Sequence, residues 1–179
     1  MKTQLSNSET KELMKSLEAN YHLKNILNKK DIVVREDNLL KINNKVLFFF
    51  YKEGQMEKLI PTLKLIIELC ERIKETNSLN EIKNQGETNN IKQTSLKTIT
   101  VDKGAVKFVV NGADIMRPGI TKIDEGIQKG EVVIILEETH QKPISICVSE
   151  ASSEELKAMT QGRVLTNIHF VGDSVWKSS

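Results

Sequence analysis

Apolar positions follow a helical rhythm at the start of the chain and a strand rhythm after it. Residues 6–19, SNSETKELMKSLEA, place Leu13, Met14 and Leu17 at helical spacing, with Glu and Lys on the other face and Ser and Asn as cap candidates in front. That pattern predicts an amphipathic first helix. The runs DIVVRED, NLLKIN and KVLFFFYKEG are short, β-branched or aromatic, and broken by Glu36-Asp37-Asn38 and Asn43-Asn44. They predict a small antiparallel meander closed by Gly54. Pro61 then stands just inside a second helical pattern, PTLKLIIELCERIKE, where its fixed φ favours a helix start. Leu63, Ile66, Ile67, Leu69, Cys70 and Ile73 give this helix a wide apolar face. Helix, meander and helix make an α+β unit over residues 1–75, near the lower size limit for independent stability.

The pattern fades over residues 76–98, TNSLNEIKNQGETNNIKQTSLKT, which are rich in Asn, Thr, Ser, Gln and Lys. This is linker composition, with room for a short helix around Ser78 to Lys83. From Ile99 the strand rhythm returns in six short runs: TITVDKG, AVKFVVNG, EVVIILEE, PISICVS, RVLTNIHFVG and SVWK. One helix interrupts them, opened by the capping box Ser152-x-x-Glu155 and ending near Gly162. So many short strands in residues 99–179 predict a small β-barrel or sandwich.

Composition narrows the class. With 39% hydrophobic and 28% charged residues in 179, a chain disordered from end to end is not expected, and a folded, soluble protein is. No apolar run approaches the roughly 18 to 20 residues of a spanning helix, and MKTQLSNSET is too polar for a signal peptide, so no membrane association and a cytoplasmic address are expected. Cys70 and Cys147 sit inside apolar stretches and read as small buried hydrophobes. The formal net charge is only +2, and residues 99–179 hold nine Lys and Arg against eleven Asp and Glu. Any binding of nucleic acid must therefore use a local patch rather than a global field.

One stretch stands out against that background. GADIMRPGI, residues 112–120, spends three of the chain's nine glycines and three prolines in nine positions. Gly104, Gly112 and Gly119 can take φ > 0 or admit a second backbone, as cradling a phosphate with main-chain N–H groups requires. Pro118 stiffens the turn, and Arg117 before it offers a planar donor fork suited to phosphate oxygens. Lys103, Lys107 and Lys122 are close enough in sequence to form a patch around it. On turn chemistry alone the same residues are ordinary corners of a tight barrel.

The ordered features VDKGAVKFVVNGADIMRPGITKID, GEVVIIL, SSEELKAM and GRVLTNIHFVGDSVW resemble a PUA domain, the module named for pseudouridine synthase and archaeosine transglycosylase, over residues 99–177. VLFFFYKEG followed by PTLKLI resembles the pre-PUA domain of the translation-associated family that includes the malignant T-cell-amplified protein. The linker is longer than in that family's eukaryotic members, and residues 1–45 match only in pattern. The resemblance implies an α+β pre-PUA domain followed by a mainly β PUA pseudo-barrel. It also implies a non-enzymatic protein of the translation apparatus that grips structured RNA, tRNA or small-subunit rRNA, at the small ribosomal subunit. The implied contact residues are Lys103, Gly104, Lys107, Gly112, Ala113, Met116, Arg117, Pro118, Gly119 and Lys122.

Two other readings stay open. The chain can be a protein–protein adaptor with a translation-factor partner, for which a partly uncovered apolar face over residues 61–73 would be the feature to look for. It can also be the detached targeting subunit of an RNA-modifying enzyme. No catalytic set is visible, and His22, His140 and His169 are scattered, so no metal or other cofactor is expected. Glu137-Glu138 read as a charged strand end. Phe108 alternates with Val106 and Val110 as a core residue with Lys107 on the opposite face, and Trp176 in SVWK reads as a barrel plug. So thin an aromatic surface predicts recognition of RNA shape and backbone rather than bases.

Overall fold

The computed structural model describes residues 2–23, 26–28, 30–79 and 95–179, the side chains of residues 72–79 excepted. The chain divides into two compact units, Met1–Ser95 and Leu96–Ser178.

The first unit is built on one five-stranded antiparallel meander in chain order, with β1 (Lys2–Gln4), β2 (Val33–Glu36), β3 (Leu39–Ile42), β4 (Lys45–Glu53) and β5 (Met56–Pro61). Asn43 and Asn44 both take positive φ, 50° and 69°, the signature of a tight two-residue hairpin turn that asparagine tolerates well. Helix α1 (Asn7–Tyr21) starts at the N-cap Ser6, where a complete capping box joins Ser6 and Glu9. Hydrogen bonds from Ser6 hold the Glu9 carboxyl below its usual value. The core of this unit includes Leu17, Leu40, Phe48, Ile60, Leu63 and Ile66, each under 3% exposed.

Strands β1 and β5 are additions to the predicted meander. Gly54 turns the chain instead of ending the sheet, and the polar start of QMEKLIP conceals strand β5, which pairs with β4 from Glu53↔Met56 to Phe48↔Pro61. Pro61 is therefore the last residue of an edge strand, where a missing N–H is harmless, and not the first of a helix. Helix α2 (Leu63–Leu79) starts one residue after the fully buried Thr62, whose hydroxyl accepts a hydrogen bond from the Leu65 amide at 3.3 Å. Residues 76–79 continue this helix, whereas most of the predicted linker and of the short helix at 78–83 lies outside the described residues.

The second unit is a six-stranded curled sheet in the order β7-β11-β10-β9-β6-β8. Its strands are β6 (Lys97–Val101), β7 (Ile115–Met116), β8 (Ile120–Ile123), β9 (Val132–Glu137), β10 (Pro143–Ser149) and β11 (Arg163–Phe170). Only β6 and β9 pair in parallel, and every other neighbour is antiparallel. All seven residues of β10 and five of the six in β9 are buried, so neither strand has an open polar face; β9 accordingly reads as a continuous apolar run, whereas β10 also buries Ser145 and Ser149. Ile99, Val101, Val133, Ile135, Cys147, Leu156 and Val164 pack into one core. Burial also pushes the Cys147 thiol up to about 12, leaving it a neutral packing group.

Three elements of this unit differ from expectation. AVKFVV is not a strand but most of helix α3 (Lys103–Val109), capped by Asp102, whose Oδ1 accepts from the Ala105 amide at 2.7 Å. Helix α4 (Ser153–Ala158) has the expected capping box at Ser152 and Glu155 but stops at Ala158, with Gly162 lying in the turn beyond. SVWK is not a strand but lies in helix α5 (Ser174–Ser178), in which Val175 is buried and Trp176 only half-buried, so the tryptophan is no plug.

Asp173 organises this last turn. Its carboxylate accepts from the Trp176 amide at 2.7 Å, the Phe170 amide at 3.0 Å and Nδ1 of the buried His169 at 2.7 Å. Burial pushes its carboxyl up, but the hydrogen bonds from His169, Trp176 and Phe170 outweigh burial and hold it below the ordinary 3.8. A depressed folded value means that this carboxylate stabilises the fold above pH 3.8 and loses that contribution as the pH falls through the folded value. Thermal melts in an acid series should accordingly show Asp173→Asn losing less stability below pH 3.8 than the parent chain, from a lower starting point. Parallel acid profiles would count against this role.

Candidate nucleic-acid interface

Helix α3 and the segment 113–119 face each other across a groove of about 820 Å³. Its walls are mostly apolar, with Phe108, Val109, Ile115, Met116 and Pro118 among them. Phe108 and Met116 are 57% and 51% exposed, and they are two of only four large hydrophobic side chains so exposed among the described residues. Helical geometry produces this arrangement. Over residues 103–109, Ala105, Val106 and Val109 share the inward stripe, whereas Lys103, Gly104, Lys107 and Phe108 are exposed. Phe108 is thus the reverse of the predicted core residue, and the Lys107 ammonium lies 4.8 Å from its ring centroid.

Of the ten residues named from the sequence, Gly104, Lys107, Ala113, Met116, Pro118 and Gly119 line the groove. Lys103 opens α3, with its amide donating to Glu138 Oε1 at 2.9 Å, and Lys122 is exposed on β8. Glu138 is thereby a second anchor for the start of the helix, beyond its place at the strand end. Only Gly112 needs positive φ, at +85°, and a side chain there would meet the Phe170 ring at 2.8 Å. Gly119 serves close approach instead, since a Cβ there would lie 3.0 Å from the Ala105 methyl. Gly104 sits in the helix with no unusual φ.

Arg117 departs furthest from expectation. It begins a 3-10 turn, Arg117–Gly119, and its guanidinium turns inward, with Nε donating to the Leu156 carbonyl at 2.6 Å and Nη1 to the Ile120 carbonyl at 3.2 Å. Its amide donates to the Gly162 carbonyl at 2.8 Å. The fork that was expected to meet phosphate fastens the bend to α4 and β8. A guanidinium suits this task because it presents several donors in fixed geometry, so one side chain can reach carbonyls on two elements.

The two carboxylates of the groove are already occupied. Asp102 caps α3, and Asp114 accepts from the Asn167 amide at 2.9 Å and from Arg163 Nη1 at 3.1 Å. Hydrogen bonds and an ion pair offset these negative charges, which leaves Lys103 and Lys107 as the cations on the exposed side of α3. Among the described residues no group of three or more His, Cys, Asp and Glu side chains could hold a metal, and no helix is long and apolar enough to cross a membrane.

Comparison with known proteins bears on the fold and the family. The PUA domain family matches residues 97–171. An uncharacterized protein of Methanocaldococcus jannaschii is 32% identical over 176 residues, 96% of this chain and 93% of that protein. Translation machinery-associated protein 20 of Saccharomyces cerevisiae is 30% identical over 147 residues, and malignant T-cell-amplified sequence 1 of Danio rerio is 30% identical over 141. These matches take in 79% and 77% of this chain but only 66% and 64% of the relatives' lengths. A solved structure from Pyrococcus horikoshii covers 99% of this chain, and 98% of its own, with a TM-score of 0.73 and 26% identity.

Proposed function

Because the chain belongs to the PUA-domain family that includes translation machinery-associated protein 20 and malignant T-cell-amplified sequence 1, we propose that it is a non-enzymatic RNA-binding protein of the translation apparatus. Its target is a structured RNA, tRNA or small-subunit rRNA, taken through an unpaired nucleotide that enters the α3 groove. The exposed Phe108 ring beside an apolar groove carries this reading. An aromatic face and an apolar slot accept a splayed base, which offers a flat apolar face once it leaves its stack. Lys103 and Lys107 on the same helix then reach the flanking phosphates.

This refines the expectation of backbone recognition alone, which rested on placing Phe108 in the core. In this reading base contact belongs to Phe108 and Met116, while Arg117 holds the bend. The adaptor reading draws less support. Leu63, Leu65, Ile66, Leu69 and Cys70 of α2 are all buried, so the described part of that face is not an open apolar surface.

Binding of an unstructured ten-nucleotide RNA and of a blunt RNA duplex, compared over a salt series, tests the proposal. The unpaired RNA should bind more tightly. Its log affinity should fall with log salt with a slope of about −0.7 per phosphate met, hence roughly −1.4 for the two lysines of α3. Equal or tighter binding of the duplex would overturn base capture by the groove.

A further inference from the structure

The loop that walls the groove is held from behind by a residue that does not line it. Asn167, on β11, donates from Nδ2 to the Val109 carbonyl at 3.0 Å and to the Ala113 carbonyl at 3.1 Å, and its main-chain amide donates to Asp114 Oδ1 at 2.9 Å. Val109, Ala113 and Asp114 all line the groove. Behind Asn167, the fully buried Ser145 donates its hydroxyl to Asn167 Oδ1 at 2.7 Å. Both amide hydrogens meet carbonyls and the amide oxygen meets a hydroxyl, so one side chain bridges the end of α3, the following loop and strand β10. Asn167 reaches all three of these points.

We propose that Asn167 is a positioning residue for RNA binding: it fixes the spacing between helix α3 and the 113–116 wall before RNA arrives, so the groove does not have to be ordered by its ligand. The inference rests on the groove reading above. An ordered site avoids the entropy of fixing a loop on binding, so freeing the loop lowers affinity without removing any contact to RNA. Asn167→Asp is the informative change. It keeps size and the acceptor for Ser145 but replaces an NH2 donor with a carboxylate oxygen aimed at two carbonyls.

The test compares the full-length chain with Asn167→Asp, Ser145→Ala and Phe108→Ala for binding to the unstructured ten-nucleotide RNA. It also follows backbone amide resonances in the free proteins. Asn167→Asp should weaken binding about tenfold or more with an unchanged salt slope, and shift resonances chiefly over residues 109–116. Ser145→Ala, which frees Asn167 without deleting it, should give a smaller loss in the same direction. It decides the matter if Asn167→Asp does not fold. A loss with Phe108→Ala but wild-type affinity in Ser145→Ala and in folded Asn167→Asp would overturn the positioning role alone. Wild-type affinity in Phe108→Ala would overturn the groove reading, and this inference with it.

Discussion

Phe108→Ala should cost the chain most of its grip on unpaired RNA while leaving its melting temperature essentially unchanged. Stacking of a base on an aromatic ring is worth about 1–3 kcal/mol, so affinity should fall roughly 5- to 150-fold. The ring is 57% exposed, and its removal opens no cavity in the core. Substitutions of that kind usually move stability by no more than about 0.5 kcal/mol. Fluorescence anisotropy with labelled RNA, paired with a thermal melt, separates the two effects. A drop in melting temperature that accounts for the lost binding would place Phe108 among the structural residues instead.

The largest loss of stability should come from Phe48→Ala in the first unit. Phe48 is 0% exposed on β4, in register with Leu40 on β3 and Pro61 on β5, so one ring is packed at the middle of the meander. Truncating a buried phenylalanine costs about 3–5 kcal/mol, the sum of lost transfer energy and the cavity left behind. That is comparable to a large share of the total stability of a small unit. Urea unfolding followed by circular dichroism should show a much lower midpoint or no folded baseline. A loss below about 1 kcal/mol would mean that the site collapses around the missing ring.

How far these features can be read from the residues depends on the range of the forces that set them. The Ser6–Glu9 and Ser152–Glu155 caps and the Asn43-Asn44 turn are local, made by side chains within three positions, and they are legible as written. The buried strands β9 and β10 are legible because EVVIILEE and PISICVS are short, rich in apolar residues and bounded by polar turn residues. Helix α3 was misread because Val106, Val109 and Val110 favour a strand and satisfy both periods over so short a span. The Asp102 cap was the signal that should have decided for a helix. That error also placed Phe108 inside.

The inward bonds of Arg117 are hidden from the sequence for a different reason. GADIMRPGI correctly marks a site of unusual backbone, and six of the ten residues singled out line one groove. One partner of the guanidinium, the Ile120 carbonyl, is local, but the other is the carbonyl of Leu156, 39 positions away, and no local pattern predicts that pairing. Asn167 went unnoticed for the same reason: an asparagine in a strand resembles ordinary surface until its neighbours in space are known. Pro61 shows a third case, where a residue suited equally to a helix start and a strand end was assigned to the wrong one.

The parallel pairing of β6 with β9 also sets an order of assembly. As the chain leaves the ribosome, β6 emerges first and finds its antiparallel partner β8 within about two dozen residues, so that ribbon can close early. Its other edge stays open until residues 132–137 have been made, because Lys97–Val101 must lie beside Val133–Glu137. The nascent second unit therefore carries an unpaired strand edge until β9 has been made, and both walls of the groove, α3 and the 113–119 segment, are already encoded before the sheet behind them is complete.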